Sequence, residues 1–278
     1  MESQTQGIIM QQLKGLKSHI IERQQDVDAL GLTTNPPRTR AELVERLKDA
    51  RQSTGAPVNP LGRGYFSVAL QGGHGGPFVL KYTKPDSRTP DGWINWGWHC
   101  YNKWQNGVHT TYPNVQFIHE FEDDMGFYAI MEKYKFFNED REGLGRAMML
   151  QKIKDYLDNF WGWENFKDHY SRRHLIFGQD TMENIHSFRI LDMLHEDVRD
   201  MLHRDRWDGP VYNSMRDVYH QSGINPDFGN AINDLVDVCK SNRVLPDIHG
   251  GNAGFWGNGS SHRMVLTDPI GFTRDGRT

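Results

Sequence analysis

The chain of 278 residues has only two cysteines, Cys100 and Cys239, and neither belongs to a CxxC pair or to a Cys/His cluster with zinc-ligand spacing. This scarcity excludes a disulfide framework and a structural zinc site, and it favours a reducing intracellular setting. No run approaches the roughly 20 apolar residues of a membrane span. The polar N-terminus also lacks the apolar stretch of a signal peptide. We therefore expect a cytoplasmic protein with no membrane partner.

Positive charge is not in excess either, since the formal net charge is −4. The balance gives no sign of a nucleic-acid-binding surface, and direct nucleic-acid binding is not predicted. Hydrophobic residues make up 37% of the chain and aromatic residues 12%, which is typical of a folded globular protein. The length fits one large domain or two coupled lobes.

Hydrophobic periodicity predicts helices first, then a small sheet, then helices again. Residues 8–30 have apolar residues at helical spacing, and Thr39 with Glu42 forms a capping box that opens a second helix reaching about Arg51. These helices either dock a partner or pack against the next segment; packing is the favoured interpretation. Short β-type runs follow at Tyr65–Leu70, Pro77–Tyr82, Val115–Phe121 and Phe127–Glu132.

One helix, Trp93–Trp104, interrupts these strands, and its row of tryptophans is typical of a packed helix face. Residues 143–243 read as mostly helical, with helices expected at Leu144–Phe160, at Ser187–Leu202 and from Asn225-Pro226 to about Lys240. Two short strands then follow. The pattern predicts an α+β protein.

A glycine pair lies where the first two strands should turn. Gly62 and Gly64 would let the backbone approach phosphates, with Phe66 and Ser67 completing the loop. Glycine pairs also make ordinary hairpin turns. Phe78–Lys81 follows as a strand ending in a lysine, and Lys81 is expected to reach the α- and β-phosphates of a nucleotide. Otherwise it is a solvated strand end.

The run Ala129–Tyr134 is an apolar strand entering a polar turn, the form of a hinge. Backbone groups from Glu132 to Tyr134 would meet the adenine edge of a nucleotide. The alternative is a plain strand end, and the local sequence does not separate the two.

Near the C-terminus, the loop Asp247–Asn252 contains two glycines and is followed by a strand that ends at Asp268. Asp247 can orient or deprotonate an attacking hydroxyl, while Asn252 and Asp268 can bind a cation. His249 would touch the transferred phosphate or hold the shape of the loop. Two nearby carboxylates repel unless a cation joins them, so the arrangement implies Mg²⁺. An Asx-rich turn is the non-functional alternative.

The motifs GRGYFS, FVLK, MEKY, DIHGGN and LTDP, in this order from Gly62 to Asp268, resemble the eukaryotic-like protein kinase fold. DIHGGN is also the form seen in aminoglycoside phosphotransferases. The whole set, with YPNV at 112–115 and DIHGGNAGFWGNG, is most similar to the early protein kinases of podophages of the T-seven type. The resemblance implies a Ser/Thr kinase that uses ATP and Mg²⁺ to phosphorylate host proteins, including transcription and RNA-processing machinery, in the infected bacterial cytoplasm. It implies Lys81, Asp247, Asn252 and Asp268 as the functional set.

The resemblance also predicts a two-lobed arrangement with a helical extension at residues 1–55, a β-rich N-lobe at 56–133 and a mostly helical C-lobe at 134–278. A nucleotide cleft is expected between the lobes. The oligomeric state and the substrate proteins are not predicted.

Three features depart from the kinase pattern. Ser67 replaces the third glycine of the phosphate loop. The tryptophan helix offers Lys81 no glutamate, so Asp91 is the nearest acid in sequence. Because ten residues of the sequence follow Asp268, we expect no activation segment. Two alternatives therefore stay open: a small-molecule phosphotransferase of the aminoglycoside-kinase type, and a catalytically silent kinase fold that binds and inhibits a host protein.

Overall fold

The computed structural model describes ten segments of the chain: residues 31–54, 59–63, 67–71, 78–84, 91–106, 111–123, 126–136, 144–204, 209–256 and 262–273. Contacts divide the chain into two compact units. The first comprises Met1–Asp91 and Val115–Lys133, and the second comprises Gly92–Asn114 and Tyr134–Thr278. The predicted helix at 8–30 lies outside the described residues.

The first unit is built on a five-stranded antiparallel sheet in the order β1-β2-β3-β5-β4. Its strands are β1 (Asn59–Arg63), β2 (Ser67–Gln71), β3 (Phe78–Thr83), β4 (Val115–Glu120) and β5 (Phe127–Glu132). Together with the helices described below, this sheet confirms the predicted α+β class. The sequence prediction located four of the strands within two residues but missed β1, whose Asn-Pro-Leu-Gly sequence has no β-type composition.

Helix α1 (Arg40–Thr54) packs against this sheet through Leu43 and Leu47, which join a buried cluster with Tyr128 and Ile130. Its predicted start is confirmed, because the N–H of Glu42 donates to Thr39 Oγ1 at 3.2 Å. The Glu42 side chain accepts from the N–H of Arg38 at 2.9 Å. This bond lowers the pKa of Glu42.

Helix α2 (Trp93–Gln105) follows β3 in the chain but belongs to the second unit. Trp93 and Trp96 are fully buried, and their ring N–H groups donate to the carbonyls of Thr267 and Leu266, each at 2.8 Å. The row of tryptophans is thus a packed face, as predicted. The sequence-based division at 133/134 put residues 92–114 with the N-terminal strands, whereas the structure puts them in the second unit. Hydrogen bonds from this helix to residues remote in the sequence account for the difference.

The second unit contains five further helices in its described residues: α3 (Leu144–Phe160), α4 (Trp163–Ser171), α5 (Ser187–Arg204), α6 (Pro210–Ser222) and α7 (Phe228–Asn242). Helices α4 and α6 were not predicted individually. The start of α6 carries a local signal, Pro210 in its first turn, but its cap comes from a different helix. Asp197 on α5 accepts the N–H groups of Val211 and Tyr212, both at 2.9 Å.

Two small antiparallel sheets complete the second unit. One pairs β7 (Val244–Pro246) with β10 (Ile270–Thr273), and the other has the order β6-β8-β9, formed by Lys135–Phe136, Ala253–Trp256 and Arg263–Leu266. These sheets bring the segments 244–256 and 263–273, which are close in the sequence, side by side. Within the described part of the chain, no helix has the length and apolar character needed to cross a membrane.

Candidate phosphoryl-transfer site

Asp247 follows directly on β7, and Asp268 lies just before β10. Because these two strands pair antiparallel, with Ile270 opposite Pro246, the residues next to them are neighbours. The N–H of Asp247 donates to the carbonyl of Pro269 at 2.7 Å. The backbone thus holds the two predicted acidic positions together through strand pairing rather than through the loop alone.

Asn252 connects both acidic segments. Its Nδ2 donates to Asp247 Oδ2 at 2.9 Å and to the Asp247 carbonyl at 3.0 Å. Its own carbonyl accepts the N–H of Asp268 at 3.0 Å and the hydroxyl of Thr267 at 2.6 Å. Since Nδ2 is engaged, Oδ1 is the atom of this amide that can serve as a metal ligand.

His249 shapes the loop from within. Its Nδ1 accepts the N–H of Gly251 at 3.0 Å, so the neutral ring carries its proton on Nε2. That Nε2 lies 3.8 Å from Asp247 Oδ2, and both side chains are about half exposed. Of the two roles predicted for His249, the bond to Gly251 supports that of holding the loop.

A further contact with the loop comes from a residue that sequence reasoning missed. His195, on α5, accepts the N–H of Ile248 through its Nδ1 at 3.2 Å. No local signal marks it, because it lies in the middle of an amphipathic helix more than fifty positions before the loop. Burial lowers the pKa of His195, against the opposing effects of Glu196 and Asp247.

A bound metal ion requires several ligand atoms from the protein, the substrate or water. In the ranges that the structure describes, no group of three or more His, Cys, Asp or Glu side chains is placed to hold a metal. Asn252 Oδ1 and the half-buried carboxylate of Asp268 could supply two oxygen ligands. Mg²⁺ is commonly held by one or two protein oxygens together with substrate phosphates and water, so these residues fit a nucleotide-bound Mg²⁺.

Lys81 belongs to the first unit, where it lies in the central strand β3 between Ala69 and Ala129. It is only 6% exposed, and its Nζ lies 3.8 Å from Oδ2 of Asp91, which is 5% exposed. The alternative of a solvated strand end is therefore wrong, because the side chain is buried. The carboxylate that the tryptophan helix lacks comes instead from the residue two positions before its start.

Other predicted nucleotide-binding residues lie in the first unit or at its boundary. Gly62 lies in β1 opposite Ala69, next to an irregularity in the strand pairing, and Ser67 is a buried residue at the start of β2. Gly64 and Phe66 lie outside the described residues. Their role as a phosphate loop stays a prediction.

The predicted hinge coincides with the end of β5. Glu132 is the last residue of that strand and lies opposite Phe78. Tyr134 begins the second of the two segments that form the second unit. Its hydroxyl accepts the N–H of Asn114 at 2.8 Å. Its side chain packs tightly against Gly254, where an added Cβ would lie 2.8 Å from Tyr134 Cβ. The contact of this segment with adenine stays a prediction.

The structure brings four of the predicted residues into one hydrogen-bonded cluster in the second unit: Asp247, His249, Asn252 and Asp268. Lys81 and Asp91 form a separate buried pair in the first unit. A carboxylate held by an amide, with the backbone of a second acidic residue bonded to the same amide residue, can orient a hydroxyl group and hold a cation.

Neither protein-family models nor curated proteins gave a match to this chain. Among solved structures, the chain is similar to a thermostable mutant of aminoglycoside phosphotransferase APH(4)-Ia in its apo form, with 15% sequence identity and a TM-score of 0.25. The similarity covers 78% of this chain and 72% of that chain. A TM-score this low does not establish a shared fold.

Proposed function

We propose that the chain is a Mg²⁺-dependent phosphotransferase that moves the γ-phosphate of ATP to a Ser or Thr hydroxyl of a protein. The observation that carries this proposal is the bonding of Asn252 to Asp247 and to the backbone of Asp268. Phosphoryl transfer needs positioned groups and charge neutralisation more than covalent chemistry, and this cluster supplies both.

In this reaction Asp247 receives the proton of the acceptor hydroxyl. Asn252 occupies Oδ2 of Asp247, so Oδ1 is the oxygen left to face the acceptor. As the oxygen of the acceptor bonds to the γ-phosphorus, the bond from that phosphorus to the β,γ-bridging oxygen breaks and ADP leaves with the electron pair. Mg²⁺, when bound, neutralises charge on the phosphate oxygens. Asn252 and Asp268 would hold it.

Lys81 is proposed to bind the α- and β-phosphates, with Asp91 orienting the lysine. A buried Lys and Asp 3.8 Å apart restrict one another, because each charge is favourable only near its partner. The missing helix glutamate is one ground for the alternative of a catalytically silent fold. Asp91 places a carboxylate 3.8 Å from Nζ of Lys81, which supports an active enzyme.

The finer part of the proposal is an early phage kinase acting on host proteins. Its support is the order of sequence motifs from Gly62 to Asp268 and the placement of the four C-terminal motif residues in one cluster. Transcription and RNA-processing proteins of the bacterial host are the proposed substrates. A small-molecule acceptor is the competing outcome, and the following experiment separates the two.

The purified protein is incubated with γ-labelled ATP, Mg²⁺ and a bacterial lysate, and the label is separated into protein and small-molecule fractions. We expect label on Ser and Thr residues of proteins, and a rate about 10²–10⁴ lower for Asp247→Ala. Asp237→Ala, at an exposed position on α7, is the matched control and should label as wild type does. Label found only in small molecules would reject the protein acceptor, and no transfer by the wild type would reject the phosphotransferase.

A further inference from the structure

The peptide group that follows Asp247 is held at both of its polar atoms. Its carbonyl oxygen, which belongs to Asp247, accepts Nδ2 of Asn252 at 3.0 Å. Its N–H, which belongs to Ile248, donates to Nδ1 of His195 at 3.2 Å. The preceding peptide is held as well, since the N–H of Asp247 donates to Pro269 at 2.7 Å. The backbone on both sides of the Asp247 Cα is therefore fixed.

His195 differs from the other partners in this set because it can lose its acceptor. An imidazole accepts at Nδ1 only while that nitrogen has its lone pair, so the neutral ring must carry its proton on Nε2. A doubly protonated ring has two N–H donors and no acceptor, so it cannot accept the N–H of Ile248. Asn252 and Pro269 accept or donate through groups that do not titrate.

Charged groups surround His195 on two elements. Asp192, Glu196 and Arg199 lie on its own helix, and Asp247 approaches from the loop. Burial lowers the pKa of His195, while the acidic neighbours Glu196, Asp247 and Asp192 oppose this shift. His195 is therefore neutral at pH 7 and in the state that accepts from Ile248.

We propose that His195 is a positioning residue that holds the Asp247–Ile248 peptide through its neutral Nδ1, so that protonation of His195 releases the loop and slows phosphoryl transfer. This inference rests on the proposed function for its catalytic consequence. Its structural consequence, a bond to the N–H of Ile248 that depends on pH, stands by itself.

Two substitutions distinguish the effect of losing the hydrogen-bond acceptor from the effect of losing the imidazole ring. His195→Asn places an amide oxygen close to the position of Nδ1, and this oxygen accepts at any pH. His195→Leu fills the space but accepts nothing. His220→Asn, at an exposed position near the end of α6, is the control for the loss of a histidine.

The first measurement is the exchange of the Ile248 amide hydrogen, corrected for the intrinsic effect of pH. In the wild type we expect strong protection at pH 8 and a roughly five- to tenfold loss of protection as the pH falls through the pKa of His195, which burial places below the ordinary value of about 6.5. His195→Asn should show protection that does not vary with pH over this range. His195→Leu should lack it throughout.

The second measurement is the pH profile of kcat for phosphate transfer. We expect His195→Leu to lower kcat at pH 8 roughly ten- to a hundredfold, with KM for ATP changed less than about twofold. His195→Asn should restore most of the rate and should lack the fall on the acid side that the wild type and His220→Asn show.

The outcomes separate the two ideas. If the Ile248 amide is equally protected in the wild type at pH 8 and at acid pH, or is still protected in His195→Leu, the role of His195 is wrong. If exchange follows the expected pattern but the wild type transfers no phosphate, the proposed function falls and the hydrogen bond stands. Should His195→Leu not fold, the comparison of wild type with His195→Asn across pH decides the matter.

Discussion

Gly271 offers a way to move the proposed catalytic carboxylate without altering it. This glycine lies in β10, and a Cβ added to it would lie 3.1 Å from Cβ and 3.6 Å from Cγ of Asp247. Carbon atoms that are not bonded prefer separations of about 3.5–4.0 Å. Gly271→Ala therefore pushes Asp247 by roughly half an ångström.

The expected effect on the rate follows from this displacement. A misplacement of about 1 Å can cost about a hundredfold in rate, so half that distance should lower kcat by about tenfold. The same contact should lower the free energy of unfolding by about 1–3 kcal/mol, as overpacking usually does. KM for ATP should not change, because the three atoms nearest to an added Cβ all belong to Asp247.

The assay combines steady-state transfer from ATP with denaturant unfolding. Gly178→Ala is the control, because a Cβ at that glycine would meet nothing within 4 Å. A folded Gly271→Ala protein with the wild-type kcat would refute the placement of Asp247 as the base. So would an equal loss of rate in Gly178→Ala.

Three further substitutions test the surrounding structure. Asp234→Asn should lower the free energy of unfolding by about 1–3 kcal/mol, because the carboxylate accepts hydrogen bonds from His99, Lys103 and Tyr112. Burial raises the pKa of Asp234, but these bonds more than offset that effect, so its pKa is lowered. The stabilisation by Asp234 is therefore present above about pH 4 and is lost as the pH falls through the folded pKa. The free energy of unfolding should depend less on acid pH in the variant. Asp197→Ala should cost about 3–5 kcal/mol, since it leaves two N–H groups of the first turn of α6 without their acceptor, and calorimetry will measure this. Asp91→Asn should lower kcat/KM for ATP about tenfold in steady-state kinetics by releasing Lys81, and an unchanged value would contradict the role of that pair.

Local chemistry predicted the elements whose signals lie within them. The bounds of α3 at Leu144–Phe160 match the prediction, and the capping box at Thr39 forms the expected bond. The cluster around Asp247 was also predicted, because a loop with two glycines and a following strand carries all its members within 22 positions of sequence. These features were predictable because the residues that form them are close together in the sequence.

Features that depend on contacts between remote residues were not predictable. Helix α2 was assigned with the N-terminal strands because it follows β3 in the chain, yet Trp93 and Trp96 bind carbonyls near Asp268. His195 lies in an ordinary amphipathic helix, and only the fold brings it to Ile248. The cap of α6 likewise comes from α5. A single sequence holds no pairing information for such contacts.

The most direct measurement of the central claim is the rate at which the purified protein transfers the γ-phosphate of ATP, at saturating ATP and Mg²⁺, with and without Asp247→Asn. Asparagine keeps the size of the side chain but cannot take a proton from the acceptor. We expect kcat to fall by about 10²–10⁴ while KM for ATP stays within about twofold. A variant that transfers phosphate as fast as the wild type would contradict the role of Asp247 and with it the proposed site.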